Sequence, residues 1–136
     1  MLKKLRFHHI GVITSDLNKA IKTYQEMGFS ARTEPLEVPE QKVKVCFMDK
    51  PGNPLIELIE PTGSSSPVSG FLGKNGSGPY HFCYLCDDIL ETLNLLKKNK
   101  FLIISRPTAS SAFNNSLMSF AYKTEIGLIE IIQSEE

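Results

Sequence analysis

The chain has 136 residues, enough for one compact domain with a useful core, and its 15 basic residues balance its 15 acidic ones. This balance excludes the sign-dominated surface that would attract nucleic acid or an anionic membrane. The segment MLKKLRFHHIGV is broken by Arg6 and two histidines, so it matches neither a signal peptide nor a membrane span. Three cysteines, an odd number, predict reduced thiols and a cytoplasmic location.

The first half of the chain is predicted to form a strand, a helix and further strands. A strand at about 6–13 precedes Asp16, the predicted N-cap, and Gly28 is placed to end the helix. Apolar residues recur at helical spacing between them: Leu17, Ala20, Ile21 and Tyr24. The segments KVKVCFMD and NPLIELIE then have strand-like composition. The first module is therefore predicted to cover about 5–61.

The second half repeats this order after a connector at about 62–78. The connector is rich in Gly, Ser and Pro, and Ser66 with Pro67 resembles the start of a short helix. A strand at about 79–86 leads to a helix capped by Asp87 or Asp88. The apolar side of that helix is formed by Ile89, Leu90, Leu93 and Leu96. Strand-like segments follow, and the polar stretch at 106–116 is predicted to be either a loop that covers a site or a surface hairpin. The second module covers about 79–133, and a shared core makes 1–136 a single domain.

Two His and two Glu occupy equivalent places in the two halves. His9 and His81 each open a strand, and Glu57 and Glu130 each interrupt an apolar one. The separations nearly agree, with 81 − 9 = 72 and 130 − 57 = 73. A carboxylate buried alone on a sheet face is costly, and a metal bound by two imidazoles and two carboxylates would satisfy all four residues. The repeated pattern therefore predicts one shared metal site.

Each of these residues also has a simpler interpretation. A single His on a strand is usually a hydrogen-bonded core residue, and a single Glu usually faces solvent. The coincidence of residue type and spacing in both halves favours the metal site. His8 keeps the simpler interpretation, because strand alternation points it away from His9 and its counterpart is Tyr80.

Other motifs give little support to other chemistry. Cys83 and Cys86 form C-x-x-C, but on a strand this offset places the thiols on opposite faces, and no second C-x-x-C completes a zinc site. Cys46 and Cys83 are most simply small core residues. The sequence has no G-x-S-x-G, P-loop or G-x-G-x-x-G, so serine hydrolase chemistry and nucleotide binding are unsupported.

Three segments resemble the vicinal oxygen chelate superfamily, which contains glyoxalases, bleomycin resistance proteins and dioxygenases. They are FHHIGVITSDLNKAIKTYQEMGF, IELIEPTGSSSPVSGFLGKNGSGPYHFCYLCDDI and GLIEIIQ. The central segment is most similar to the methylmalonyl-CoA epimerase family. The resemblance implies an α+β fold of two βαβββ modules with a metal site between curved sheets. It also implies that the metal ligands are His9, Glu57, His81 and Glu130.

The resemblance further implies an isomerase that acts by enolisation of a small carboxylic acid or of a small acyl thioester such as an acyl-CoA. A divalent ion (Co, Mn, Ni, Mg or Zn) would act as Lewis acid, and Glu130 would also serve as the proton-transfer base. Some relatives carry a second glutamate on the strand that here reads KVKVCFMD, which has no carboxylate before Asp49. The acid that completes the epimerisation is therefore unassigned.

Two other functions stay open at this point. One is a glyoxalase I-like lactoylglutathione lyase, which uses a metal for enediolate chemistry. The other is a non-enzymatic binding protein of the bleomycin-resistance kind, although a full ligand set argues against it. A dioxygenase is disfavoured because a two-His, one-carboxylate iron site leaves Glu57 unexplained. A homodimer is expected from the superfamily, while nucleic acid and membrane are not expected as partners.

Overall fold

The computed structural model describes residues 4–134, and within this range the chain forms ten strands and three α-helices. The described residues divide into two compact units. The first unit comprises residues 9–80, and the second comprises residues 4–8 together with residues 81–134. The fold is mixed α and β, as predicted. None of the helices within residues 4–134 is long and apolar enough to cross a membrane.

The elements follow one another in the same order in the two halves of the chain. The first half contains β1 (Arg6–Ile13), α1 (Leu17–Glu26), β2 (Ser30–Ala31), β3 (Leu36–Val38), β4 (Val43–Asp49), β5 (Leu55–Pro61) and α2 (Pro67–Asn75). The second half contains β6 (Gly78–Cys86), α3 (Ile89–Lys98), β7 (Leu102–Ile103), β8 (Thr108–Ser110), β9 (Ser116–Lys123) and β10 (Gly127–Gln133). Only α2 lacks a counterpart among these elements.

Each half contains a βαβββ module in which the second strand is broken in two. In the first unit, β5 pairs in parallel with β1 and antiparallel with β4, and β2 and β3 pair with different parts of β4. In the second unit, β10 pairs in parallel with β6 and antiparallel with β9, and β7 and β8 share β9 in the same way. The predicted order of elements is therefore confirmed in both halves.

The helix boundaries follow the predicted capping residues. The Oδ1 atom of Asp16 accepts a hydrogen bond from the Lys19 amide at 3.1 Å, and Gly28 leaves the helix with φ of 96°. Asp88, rather than Asp87, caps α3, and its Oδ1 accepts from the Glu91 amide at 3.2 Å. The helix predicted at Ser66–Pro67 is α2, which runs through Asn75.

Each unit packs its long helix on one face of its strands. In the first unit the apolar side of α1 meets a buried cluster from β4 and β5 that includes Met48 and Leu58. In the second unit the apolar side of α3 meets a cluster from β9 and β10 that includes Ala121 and Ile131. The other face of each set of strands carries the predicted metal ligands, and we call it the histidine face of that unit.

The sequence separation between equivalent residues of the two halves increases by one at the turn that precedes β4 in the first half and β9 in the second. Each turn is a short 3₁₀ helix, Pro39–Gln41 in the first half and Ser111–Phe113 in the second. Lys42 alone follows the first turn in the left-handed conformation, whereas Asn114 and Asn115 both adopt it after the second. The additional residue, Asn115, changes the repeat from 72 to 73 residues, since 42 + 72 = 114 while 43 + 73 = 116.

The polar stretch at 106–116 forms a hairpin with β9, one of the two forms predicted for it. It contains the short strand β8, which pairs with β9, and the second 3₁₀ turn. The strand itself was not predicted, because its three residues, Thr, Ala and Ser, lack the apolar alternation that marks a half-buried strand.

Candidate functional site

The first unit brings His9 and Glu57 together on its histidine face. The two residues lie on the parallel strands β1 and β5, where Glu57 is opposite Gly11, two residues after His9. The Nε2 atom of His9 is 3.1 Å from Oε1 of Glu57. Exposure is 0% for His9 and 4% for Glu57. A carboxylate in such a position is stable only with a charged or hydrogen-bonding partner, and the imidazole supplies one.

The second unit contains an equivalent pair, His81 and Glu130. Glu130 lies on β10 opposite Cys83, which again is two residues after the histidine. The Nε2 atom of His81 is 3.1 Å from Oε1 of Glu130, and both side chains are buried. The two units therefore build the same pair, with the same atoms at the same distance and in the same strand register.

A phenylalanine completes each pair. Phe47 on β4 lies opposite Glu57, and its ring meets the His9 ring edge to face with centroids 5.6 Å apart. Phe120 on β9 lies opposite Glu130, and its ring meets the His81 ring with centroids 5.5 Å apart. Edge-to-face contacts of this kind fix ring orientation and contribute about 0.5–1.5 kcal/mol. Each imidazole is thus held between a carboxylate and an aromatic ring.

The phenylalanines were missed by the sequence reasoning, although the sequence contains the signal. Their separation is 120 − 47 = 73, the same as that of the two glutamates. Both occupy the position of strand alternation that faces the histidine side, in KVKVCFMD and in SLMSFAYK.

The donor chemistry suits a hard or borderline divalent ion. Each pair offers an imidazole nitrogen and a carboxylate oxygen, and neither pair includes a thiolate. Each pair by itself is therefore a buried nitrogen and oxygen donor set that suits such an ion.

The cysteines are buried in apolar surroundings. Cys83 packs with Met118 and Ile132, while Cys86 packs in the helix-side cluster of the second unit, so these two thiols lie on opposite faces as predicted. Cys46 is a core residue beneath α1. None of the three forms a disulfide within the described residues, and burial raises the pKa of the Cys46 thiol, with a further increase from the Glu34 carboxylate. A raised pKa favours the protonated thiol and makes metal ligation or nucleophilic attack unfavourable.

Two other polar residues near the motifs have structural partners. His8 is half-buried and packs edge to face on Phe113 in the second unit, with ring centroids 6.0 Å apart. Asp49, the first carboxylate on β4, is exposed and forms an ion pair with Arg32. By alternation Val43, Val45 and Asp49 share the face of Phe47, and the one acid among them is at the end of the strand and paired with Arg32.

Comparisons with known proteins identify the family of the chain. The family described as "Glyoxalase/Bleomycin resistance protein/Dioxygenase superfamily" matches residues 8–122. The mitochondrial methylmalonyl-CoA epimerase of Bos taurus is 34% identical over 132 residues, which cover 95% of this chain and 74% of that protein. The ethylmalonyl-CoA/methylmalonyl-CoA epimerase of Cereibacter sphaeroides is 36% identical over 94 residues, covering 68% of this chain and 69% of that protein.

Solved structures show the same fold at lower identity. The methylmalonyl-CoA epimerase of Mycobacterium tuberculosis superposes with a TM-score of 0.86 at 20% identity, covering 100% of this chain and 93% of that one. A methylmalonyl-CoA epimerase solved in complex with methylmalonyl-CoA and NH4+ gives a TM-score of 0.83 at 22% identity, covering 98% of this chain and 96% of that one.

Proposed function

Because this chain belongs to the glyoxalase/bleomycin resistance protein/dioxygenase superfamily, and within it to the methylmalonyl-CoA epimerases, we propose that it is a metal-dependent isomerase of a carboxylated acyl-CoA. Methylmalonyl-CoA is the first substrate to test. The observation that carries the proposal is the repeated His–Glu pair, buried at the same strand register in both units. A binding protein without catalytic chemistry has no need for two such pairs.

The proposed ligands are His9, Glu57, His81 and Glu130, acting together on one divalent ion within a single domain of residues 1–136. The proposed ion is Co, Mn, Ni, Mg or Zn, because nitrogen and oxygen donors suit all of these. When bound, the ion stabilises the negative charge that develops on the substrate's carbonyl oxygen as the α-proton leaves. The two proposed histidine ligands are neutral donors, and the two glutamates supply the compensating charge.

Glu130 is proposed to accept the α-proton at its carboxylate. It is 2% exposed, so bulk water does not compete for the proton that it holds. His81 lies beside this carboxylate with Nε2 3.1 Å from Oε1, and Phe120 limits rotation of the His81 ring. Proton transfer at a fixed atom is favoured when the geometry is set before the substrate arrives.

Return of the proton to the opposite face of the carbon requires a second acid. The one carboxylate of β4 is Asp49, which shares the face of Phe47 at the end of the strand and forms an ion pair with Arg32. We therefore do not assign the second acid to this strand.

Metal content and hydrogen exchange test the proposal together. We expect the purified protein to contain about one divalent ion per chain and to exchange the α-hydrogen of methylmalonyl-CoA in heavy water. Glu57→Gln should lower the metal content, because an amide oxygen is a weaker ligand than a carboxylate. Glu60→Gln is the matched control, since Glu60 lies on the same strand but is half-exposed and faces the other side.

Three results would contradict the proposal: no bound metal in the wild type, equal metal content in the two variants, or no exchange with any acyl-CoA. Turnover of a glutathione hemithioacetal without acyl-CoA exchange would instead assign a lyase of the glyoxalase I type.

The remaining features of the proposal concern the cell and the assembly. A cytoplasmic location is proposed because the three cysteines are buried and form no disulfide within the described residues. A homodimer is also proposed, and light scattering of the purified protein would measure it directly. The proposed partner is a small acyl-CoA.

A further inference from the structure

The second unit has a cavity of about 370 Å³ on its histidine face. Its floor is apolar and includes Leu85, Ile132 and the ring of Phe113. Polar side chains surround this floor, among them Asn114 and Ser116. A volume of this size, with an apolar floor and a few polar groups, is typical of a site that holds part of a small molecule.

The first unit fills the equivalent place with its own chain. The counterparts of Leu85 and Ser116, which are partly exposed, are Ile13 and Val43, which are 0% and 2% exposed. Helix α2 packs against β5, and its Phe71 ring meets Tyr80 edge to face with centroids 4.8 Å apart. The second unit has no counterpart of α2 among its described elements, and there His8, the counterpart of Tyr80, packs instead on Phe113.

The sequence differs between the halves in the way that an open site requires. Ser116 replaces Val43 of the repeat, and Ser134, which also lines the cavity, replaces Pro61. Hydroxyl groups at these positions suit contact with a polar ligand, whereas the apolar residues of the first unit suit burial beneath a helix. The replacement of apolar residues by serines is confined to the unit in which no helix covers them.

The polar groups of the cavity favour a neutral ligand with amides over an anion. Arg6 borders the cavity, but its Nη1 atom is already 3.1 Å from Oδ1 of Asp87, and both side chains are about half exposed. Gln133 alternates to the helix side, where its Oε1 atom accepts a hydrogen bond from the Ile89 amide, so the side-chain amide of the cavity is that of Asn114. The cavity thus combines amide and hydroxyl groups with an apolar floor and a neutralised cation.

We propose that this cavity binds the pantetheine arm of the acyl-CoA, a neutral chain of amides and methylene groups, so that the arm lies on the second unit only. This inference rests on the proposed function. His81 and Leu85 are four residues apart on β6 and face the same side, which places them about 13 Å apart along the strand. An extended arm can therefore run from a thioester near His81 and Glu130 to the cavity.

Binding of pantetheine alone to the metal-loaded protein tests the inference without any turnover. Asn114→Gly removes an amide but keeps the left-handed backbone, which Asn114 adopts with φ of 57°. Lys42→Gly is the matched control, because Lys42 is the repeat counterpart of Asn114, with φ of 55°, and is not a cavity residue. Ser116→Met fills the cavity with an apolar side chain. Calorimetry should give a Kd about tenfold higher for Asn114→Gly and Ser116→Met, and an unchanged Kd for Lys42→Gly.

The inference is overturned if the wild type does not bind pantetheine, if both cavity variants bind it as tightly as the wild type, or if Lys42→Gly weakens binding equally. Failure of the proposed function would give a different result. Pantetheine would still bind, and the cavity variants would still weaken its binding, but no acyl-CoA would exchange its α-hydrogen. Where exchange occurs, the cavity variants should raise the KM for the full acyl-CoA and leave the KM for the matching N-acetylcysteamine thioester unchanged. Thermal unfolding of each variant checks that it is folded.

Discussion

The first unit covers the far end of its histidine face with helix α2, whereas the second unit leaves a cavity there. Around the His–Glu pairs the units agree in residue type, strand register and interatomic distance. They differ where Val43 and Pro61 of one unit become Ser116 and Ser134 of the other. The comparison teaches that agreement within the repeat marks the proposed metal ligands, and that divergence marks the place proposed for the rest of the substrate.

The largest expected effect separates the two glutamates. Glu130→Gln should lower kcat about a thousandfold at saturating metal, because it removes the proposed base as well as a ligand. Glu57→Gln should weaken metal binding, and added metal should restore kcat to within about tenfold of the wild type. Steady-state rates measured across a metal titration give both numbers. Equal, unrestorable losses in the two variants would mean that the glutamates are functionally equivalent.

Truncation of a core residue beneath α1 or beneath α3 is expected to lower the free energy of unfolding by a similar amount. Leu58 and Ile131 are repeat counterparts, since 131 − 58 = 73, and both are 0% exposed. Leu58→Ala and Ile131→Ala should each reduce the free energy of unfolding by about 3 kcal/mol through the cavity that truncation leaves. Urea denaturation should show a single transition for both variants if the units form the one domain that we propose. Two separate transitions, each shifted by only one of the substitutions, would contradict that proposal.

Substitutions at the residues that follow α1 and α3 should change the stability of the protein in opposite directions. Gly28 and Lys100 occupy the same left-handed position after their helices, with φ of 96° and 71°. Lys100→Gly should stabilise the protein by up to about 1 kcal/mol, because it relieves a side chain from an unfavourable backbone conformation. Gly28→Ala should destabilise it by about 1 kcal/mol for the same reason. Thermal unfolding measures both changes, and a shift of the same sign in the two variants would refute the reasoning.

The smallest difference is expected at the N-caps. Asp16 and Asp88 each accept one backbone hydrogen bond at the start of their helix, from Lys19 and from Glu91. Asp16→Ala and Asp88→Ala should therefore each cost about 1 kcal/mol in the free energy of unfolding. A difference of more than about 1 kcal/mol between them would show that one carboxylate has a further role.

The sequence predicted the features that depend on local pattern. The caps Asp16 and Gly28 and the strand positions of the two histidines follow from local residue preferences and alternation. The repeat predicted that the two histidines and the two glutamates share one metal, but it did not predict the contact of each His with the Glu of its own unit, which the structure shows. The use of all four as ligands to one ion stays a proposal.

Other features depend on tertiary packing, which a local pattern does not contain. The sequence predicted a short helix at Ser66, but not that α2 would pack on β5 while the equivalent end of the second unit stays open. Strand β8 was missed because its pairing with β9, rather than its own composition, makes it a strand. The difference between 72 and 73 residues revealed an insertion, and only the backbone angles located it at Asn115.

The position of that insertion has a consequence for engineering the chain. A residue added within β9 or β10 would reverse the alternation beyond it and turn Glu130 away from His81. Asn115 instead lies in the turn before β9, where a second left-handed residue absorbs the added length and both strands keep their register. Loop grafts and peptide tags placed at this turn should therefore be tolerated by the His81–Glu130 pair, whereas the same insertions inside either strand should abolish it.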